Sequence, residues 1–229
     1  MSDSTFCQQV TSLSQINDTT THLEFTGDFD QSLIGFDFPS SITSITFSCN
    51  YNRPIDDVQW PPHLTTLSFA KAPFDQPLDN LPSTLERLAI GDSFRHWQTL
   101  RDAWPSTLTH LSLGNSFNDR LQTLRLPDSL THLNVGSKFD QPIDHVQWPP
   151  QLIALRLGCS FDQSLRGASL PHSLTVLQVD DDYYDRHACY LQTLPLQVAL
   201  SPEDEDYLWP RDLFSVLALH EMWANEESW

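Results

Sequence analysis

Two histidines, His110 and His132, stand 22 residues apart in matching contexts, Thr-His-Leu-Ser-Leu and Thr-His-Leu-Asn-Val. On adjacent parallel strands their rings would lie about 5 Å apart, and two imidazoles are the beginning of a zinc site. A complete site wants three or four ligands, and the nearest further candidates, Ser112 and Asn134, are poor ones. Thr-His-Leu also occurs at Thr21–Leu23, which points to inheritance of a repeat and not to a metal. Four aspartates, Asp30, Asp75, Asp140 and Asp162, each directly follow an aromatic residue and would suit calcium, which takes several carboxylate oxygens. Asn52, Arg95 and Asn118 interrupt that column, and side chains bonding nearby turn backbone, as in Asx turns, account for it. Trp60, Trp104 and Trp148 each precede a proline, within the near-twins IDDVQWPPHL and IDHVQWPPQL in two of the three cases. Either they form an exposed Trp-Pro face or each ring shields its neighbouring unit. Gly-rich phosphate loops, His-Glu-x-x-His, Gly-x-Ser-x-Gly and Cys-x-x-Cys are all missing. The expectation is a non-catalytic protein with no cofactor.

These candidates are positioned by a repeat. An aromatic residue recurs at Phe29, Tyr51, Phe74, Phe94, Phe117, Phe139, Phe161 and Tyr183, in steps of 20 to 23 residues. Ahead of it come apolar residues spaced i, i+3, i+5, such as Leu108/Leu111/Leu113 and Leu130/Leu133/Val135. Two apolar residues separated by one polar residue share a face of a strand, so Leu111 and Leu113 point inward and His110 and Ser112 outward. Glycines 114, 136 and 158 follow the strands and permit a sharp turn. The aromatic and an apolar residue four places on (Phe139 and Ile143) re-enter the core. A proline before each leading apolar residue keeps that side extended or polyproline-like.

A period this regular marks a solenoid in which stacked units bury a continuous core. The fold expected is mainly β: an LRR-like right-handed solenoid of eight repeats of about 22 residues, with a parallel sheet on one face, extended and turn segments on the others, and a C-terminal helical cap. Unit 4 (Phe94-Arg-His-Trp-Gln98) loses the motif, and an irregular rung is expected there. Residues 1–19 read as an N-terminal cap, with Phe6, Val10, Leu13 and Ile16 at helical spacing. Residues 20–195 read as the solenoid, and 196–229 as an acidic C-terminal cap whose helix follows Pro210.

The formal net charge of −18 argues against nucleic acid, which needs clustered Lys and Arg. No apolar run approaches a membrane span, and the N-terminal MSDSTFCQQV has neither the basic start nor the apolar stretch of a signal peptide. Cys49 and Cys159 occupy equivalent places five units apart, roughly 24 Å, too far for a disulfide. Reduced thiols favour a cytoplasmic location.

Quoted as they stand, LPDSLTHLNVGSKFDQPID (126–144) and WPPQLIALRLGCSFDQSL (148–165) resemble the FNIP repeat, a leucine-rich-repeat relative of amoebae and giant amoebal viruses. The resemblance covers about residues 20 to 195 and implies a curved solenoid used for protein interaction. The family's Asn after Phe is more often Asp in this chain, and Arg at Arg95.

The outward sheet positions are small and polar, a broad surface better suited to an extended partner than to a small molecule. The function expected is a protein–protein interaction module, scaffold or adaptor, binding an unidentified protein partner and neither nucleic acid nor membrane. Its candidate sheet-face residues are His22, Arg87, His110, His132, Asn134 and Arg156, with Trp60, Trp104 and Trp148 as secondary candidates. The alternative is an architectural protein that self-associates through solenoid edges or ends, because open sheet edges template pairing.

Overall fold

A computed structural model describes residues 7–102 and 104–200. Its described residues form one parallel sheet of ten strands in strict sequence order. They are β1 (Cys7–Val10), β2 (His22–Gly27), β3 (Ser44–Cys49), β4 (Thr66–Ser68), β5 (Arg87–Ala89), β6 (His110–Ser112), β7 (His132–Asn134), β8 (Ala154–Arg156), β9 (Val176–Val179) and β10 (Gln197–Leu200). The central inward position of each rung pairs with its equivalent: Leu23 with Ile45, then Leu67, Leu88, Leu111, Leu133, Leu155 and Leu177. All eight are buried. The chain coils as a mainly β solenoid of about eight turns, as the repeat requires.

The interior is a set of stacked ladders. Phe25, Phe47 and Phe69 lie face to face with centroids 5.0 Å apart at each step. The recurring aromatic forms a second pile, Phe29 to Tyr51 to Phe74 at 6.0 and 6.3 Å, and Phe117 to Phe139 to Phe161 at 5.7 and 6.0 Å. A rung spacing near 4.8 Å permits such piles only where successive rings tilt and offset alike, so identical units pack best. Tyr51 carries the cost of standing in a phenylalanine column: its hydroxyl is buried with no hydrogen-bond partner among the described residues, and burial pushes its pKa up. Tyr183, at the other end, donates its hydroxyl to the Gln163 carbonyl at 2.8 Å.

The glycines have a second reason beyond the turn. Gly114 and Gly136 do adopt positive φ, 75° and 82°, but Gly158 does not. A Cβ at Gly136 would meet the Gly114 carbonyl oxygen, and one at Gly158 would meet the Gly136 carbonyl oxygen. Close approach of successive rungs, more than handedness of the turn, demands glycine in this column.

Two expectations about the end segments need correction. The N-terminal segment, with its helical spacing, instead adds strand β1 to the sheet, followed by a single 3-10 turn, Leu13–Gln15. Pairing satisfies the N–H and C=O groups along the edge of β2, which a helix could not do. The same segment supplies Gln8, whose Oε1 accepts from the buried hydroxyl of Thr20, the polar residue in the first unit's leading place. At the other end, residues placed in the last repeat turn form helix α1 (Asp181–Leu191). Asp180 caps it, its side chain accepting from Asp182 N at 3.0 Å, and Asp181 and Asp182 complement the positive end of the dipole. The helix expected after Pro210 lies outside the described residues, and Leu194–Val198, a remnant of the repeat, leads into β10.

Unit 4 keeps its rung while losing its motif: β5 pairs in register with both β4 and β6. The irregularity is confined to the far side of the coil, where a 3-10 helix, Trp97–Asp102, replaces the extended turn. Trp97 is buried edge-on between Phe94 and Phe117, at 4.6 and 4.8 Å, and with Leu100 takes the two places held by Ile55 and Val58 or Leu121 and Leu124 in other units.

Candidate interaction surface

Three repeated columns are consumed by the coil itself. The first is the Asp/Asn column. Asn52 Oδ1 accepts from Asp75 N at 2.8 Å, Asp75 Oδ1 from Arg95 N at 2.9 Å, Asn118 Oδ1 from Asp140 N at 2.9 Å, and Asp140 Oδ1 from Asp162 N at 3.0 Å. The following glutamine reinforces the same oxygen, as Gln141 does on Asn118 at 3.2 Å and Gln163 on Asp140 at 2.8 Å. These bonds run between rungs and not within a turn, which corrects the Asx-turn expectation. A carboxylate and an amide serve equally because only one acceptor oxygen is needed. Arg95 cannot accept, so the ladder stops there. At the two ends the aspartates meet arginines, Asp30 with Arg53 at 2.8 Å and Asp162 with Arg186 at 3.0 Å. Among the described residues, no three His, Cys, Asp or Glu side chains converge as a metal-holding group.

The second column is the Ser/Thr that follows each proline: Thr84, Thr107, Ser129 and Ser173 each donate to a carbonyl of the preceding rung at 2.6 to 2.8 Å. The third contains the tryptophans. Trp60, Trp104 and Trp148 are half-buried, and each indole N–H donates to a carbonyl 20 residues on, at Asn80 (2.8 Å), Leu124 (3.0 Å) and Ala168 (3.0 Å). The twin Trp-Pro-Pro segments thus make the same inter-rung bond.

The sheet face differs. Its first outward row runs His22, Ser44, Thr66, Arg87, His110, His132, Ala154, Val176, and its second Glu24, Thr46, Ser68, Ala89, Ser112, Asn134, Arg156, Gln178. The register brings Arg87, His110 and His132 side by side and sets Asn134 next to Arg156, while His22 stands three rungs from Arg87. His22 neighbours Glu24, which is occupied by Gln9 Nε2 (2.8 Å) and Ser48 Oγ (2.6 Å).

The two central imidazoles stack, centroids 4.2 Å apart and 5° from parallel. Burial, with the charges of His132 and Arg87 next to it, pushes the His110 pKa down to about 4; burial, then Arg87, lowers that of His132. Thr109 Oγ1 donates its one hydrogen to Glu86 O at 3.0 Å, so its 2.8 Å contact with His110 Nδ1 has the ring as donor. The hydrogen-bond network therefore assigns His110 the Nδ1–H tautomer, with Nε2 making no hydrogen bond among the described residues. Burial also lowers the Arg156 pKa, and no carboxylate of the described residues pairs with this guanidinium.

Elsewhere the described surface offers only shallow depressions: one of about 170 Å³ beside α1 lined by Tyr184, Leu194 and Val198, another of about 340 Å³ at the irregular turn lined by Asp92, Arg95, Trp97 and Asn118. The first is lined mostly by apolar side chains and the second mostly by polar ones, so neither sets a few polar groups in an apolar cleft as a small-molecule site does.

A family model described as the FNIP repeat matches residues 29–72, 98–138 and 117–160, leaving out 73–97, the stretch that holds Phe74 and the strand of unit 4. The chain carries FNIP repeats over these residues. The FNIP array also matches a crystal structure, that of CroV588, a giant-virus protein described as a novel circular LRR structure, at 34% identity and TM-score 0.63 over 76% of the present chain. This chain spans 26% of that one's length. No curated protein matches. The FNIP signature, Pro-x-Ser/Thr-Leu-Thr and Phe-Asp/Asn-Gln, coincides with the inter-rung ladders, so it records how rungs join. The missed features are Trp97 and the Nδ1–H tautomer of His110. The first was legible as an aromatic near the aliphatic place of unit 4; the second depends on a hydrogen bond to the previous rung.

Proposed function

We propose that the chain is a non-catalytic interaction module, an adaptor or scaffold that binds another protein through the sheet face of its FNIP solenoid. The observation that carries this reading is the division of labour among columns. The Asp/Asn, Ser/Thr and Trp columns spend their polar groups on neighbouring rungs, whereas the sheet face holds residues that change from rung to rung and a guanidinium, Arg156, with no carboxylate partner among the described residues. Four cysteines without a disulfide support a cytoplasmic setting, and no helix among the described residues is long and apolar enough to cross a membrane. The test is affinity capture from the native cell with wild type and with Ser112→Trp, which places a bulky ring in the middle of the face. A partner lost with the variant at unchanged melting temperature supports the sheet face; one retained removes it.

A second reading, an architectural protein joined end to end, is favoured by one observation. Strands β1 and β10 each pair on one side only among the described residues, and the structural neighbour, of which this chain spans 26%, is described as circular. Mass measured across a concentration series separates the two: growth to larger assemblies supports end-to-end association, and a constant monomer supports the binding module.

A further inference from the structure

Resting on the sheet-face reading, we infer that the stretch from β5 to β8 is a receptor for an acidic extended peptide, with one carboxylate seated at Arg87 and His110 and a second at Arg156, beside Asn134, whose amide nitrogen also donates to Ser112 Oγ at 3.3 Å. Charge is the first argument. The whole chain carries a formal net −18, yet the outward residues of these four strands are Arg87, Ala89, His110, Ser112, His132, Asn134, Ala154 and Arg156, with no Asp or Glu among them. The face is thus a small cationic field in an acidic molecule, and such local complementarity selects partners and register. Two fixed guanidiniums are too few to hold a polyanion, and the surrounding acidity repels one; they match single carboxylates, to which guanidinium presents a two-pronged donor.

Desolvation is the second argument. Arg156 is held partly out of water with no carboxylate of the described residues beside it. A half-buried charge in that condition gains more from an incoming carboxylate than an exposed one does. Geometry is the third. Arg87 and Arg156 lie three rungs apart and in different rows, about 16 Å between backbones, which an extended chain covers in roughly five residues. A peptide laid across the strands with acids four or six places apart, so that both side chains face the sheet, meets both within the reach of Glu and Arg side chains.

The histidines give the site a signature. Neutral His110 presents a lone pair at Nε2, which repels a carboxylate; protonation turns that atom into a donor. Facing the ring are Arg87 from β5 and His132 from β7, with the exposed Glu86 just before β5. A bound carboxylate favours the protonated ring and so opposes the burial and the His132 and Arg87 charges that hold it neutral; binding then takes up a proton and tightens as pH falls below 7 towards 5.

The probe is a fluorescein-labelled twelve-residue Ser/Thr peptide with two glutamates four apart, on one face of an extended chain, followed by anisotropy in low salt, against the same peptide with glutamines. At least tenfold tighter binding of the glutamate peptide is expected, with about tenfold lost in Arg87→Gln and in Arg156→Gln. The gain at low pH should vanish in His110→Asn. Arg156→Gln, with melting temperature as the control, keeps the test valid should Arg87→Gln fail to fold. Equal binding of the two peptides, indifference to Arg156→Gln, or binding of a phosphoserine peptide alone overturns the inference. A cellular partner lost with Ser112→Trp but held by both arginine variants sinks the acidic assignment and leaves the sheet-face reading standing; indifference to Ser112→Trp sinks that reading itself.

Discussion

The Asp/Asn column and the Arg/His rows are carried by the same coil at the same period, yet they put polar atoms to opposite uses. Asn118 and Asp140 each turn an oxygen onto the backbone N–H of the next rung; Arg156, two turns away on the sheet face, has no carboxylate partner among the described residues. The difference teaches how to read a repeat. A residue that recurs satisfies a need that every rung has, namely to be joined to its neighbour. A residue that differs from rung to rung is one that the joining of rungs does not require.

If recurrence means joining, the joints should be expensive to break. Gly136→Ala forces a Cβ against the Gly114 carbonyl at φ 82° and should lower stability by about 2 kcal/mol or more in urea unfolding. Gly35→Ala, at φ 77° with nothing within 4 Å, should cost only about 1 kcal/mol, the backbone penalty alone. Equal costs would break the claim that rung stacking, not φ, demands glycine at 136. Next in size, Asn118→Ala removes the acceptor of two bonds and should cost about 1–2 kcal/mol, whereas Asn118→Asp should be nearly neutral, since Asp140 does the same work one rung on. The smallest effect is expected on the sheet face and only at acid pH. The His110 pKa is depressed from 6.5 to about 4, so the unfolded chain binds the proton more readily in that window. Stability from this group is complete above pH 6.5 and declines as pH falls towards 4. A melting series from pH 7 to 4 should show a shallower decline in His110→Asn.

Much of this was legible in the chain. The period of about 22 residues, the inward leucines and the pairing of His110 with His132 follow from alternation along a strand and stacking of like on like. The Asp/Asn column was visible, but its purpose was not, because an acceptor in one unit and a donor 22 residues later look unrelated until rungs lie in contact. Gly158 looked like a turn and proved to be a contact. The segment at 7–10 looked helical by local spacing and became a strand because the edge of β2 offered it a full ladder of hydrogen bonds.

By itself, then, the sequence determined the solenoid: its period, the identity of its core and the order of its rungs, since each unit can bury its apolar side only against a copy of itself. Tertiary structure alone decided what the ends became and which polar groups were consumed. Both depend on partners far away along the chain: the edge that β1 covers, the previous rung's carbonyl that fixes the His110 tautomer, and the register that sets Arg87 and Arg156 on one face.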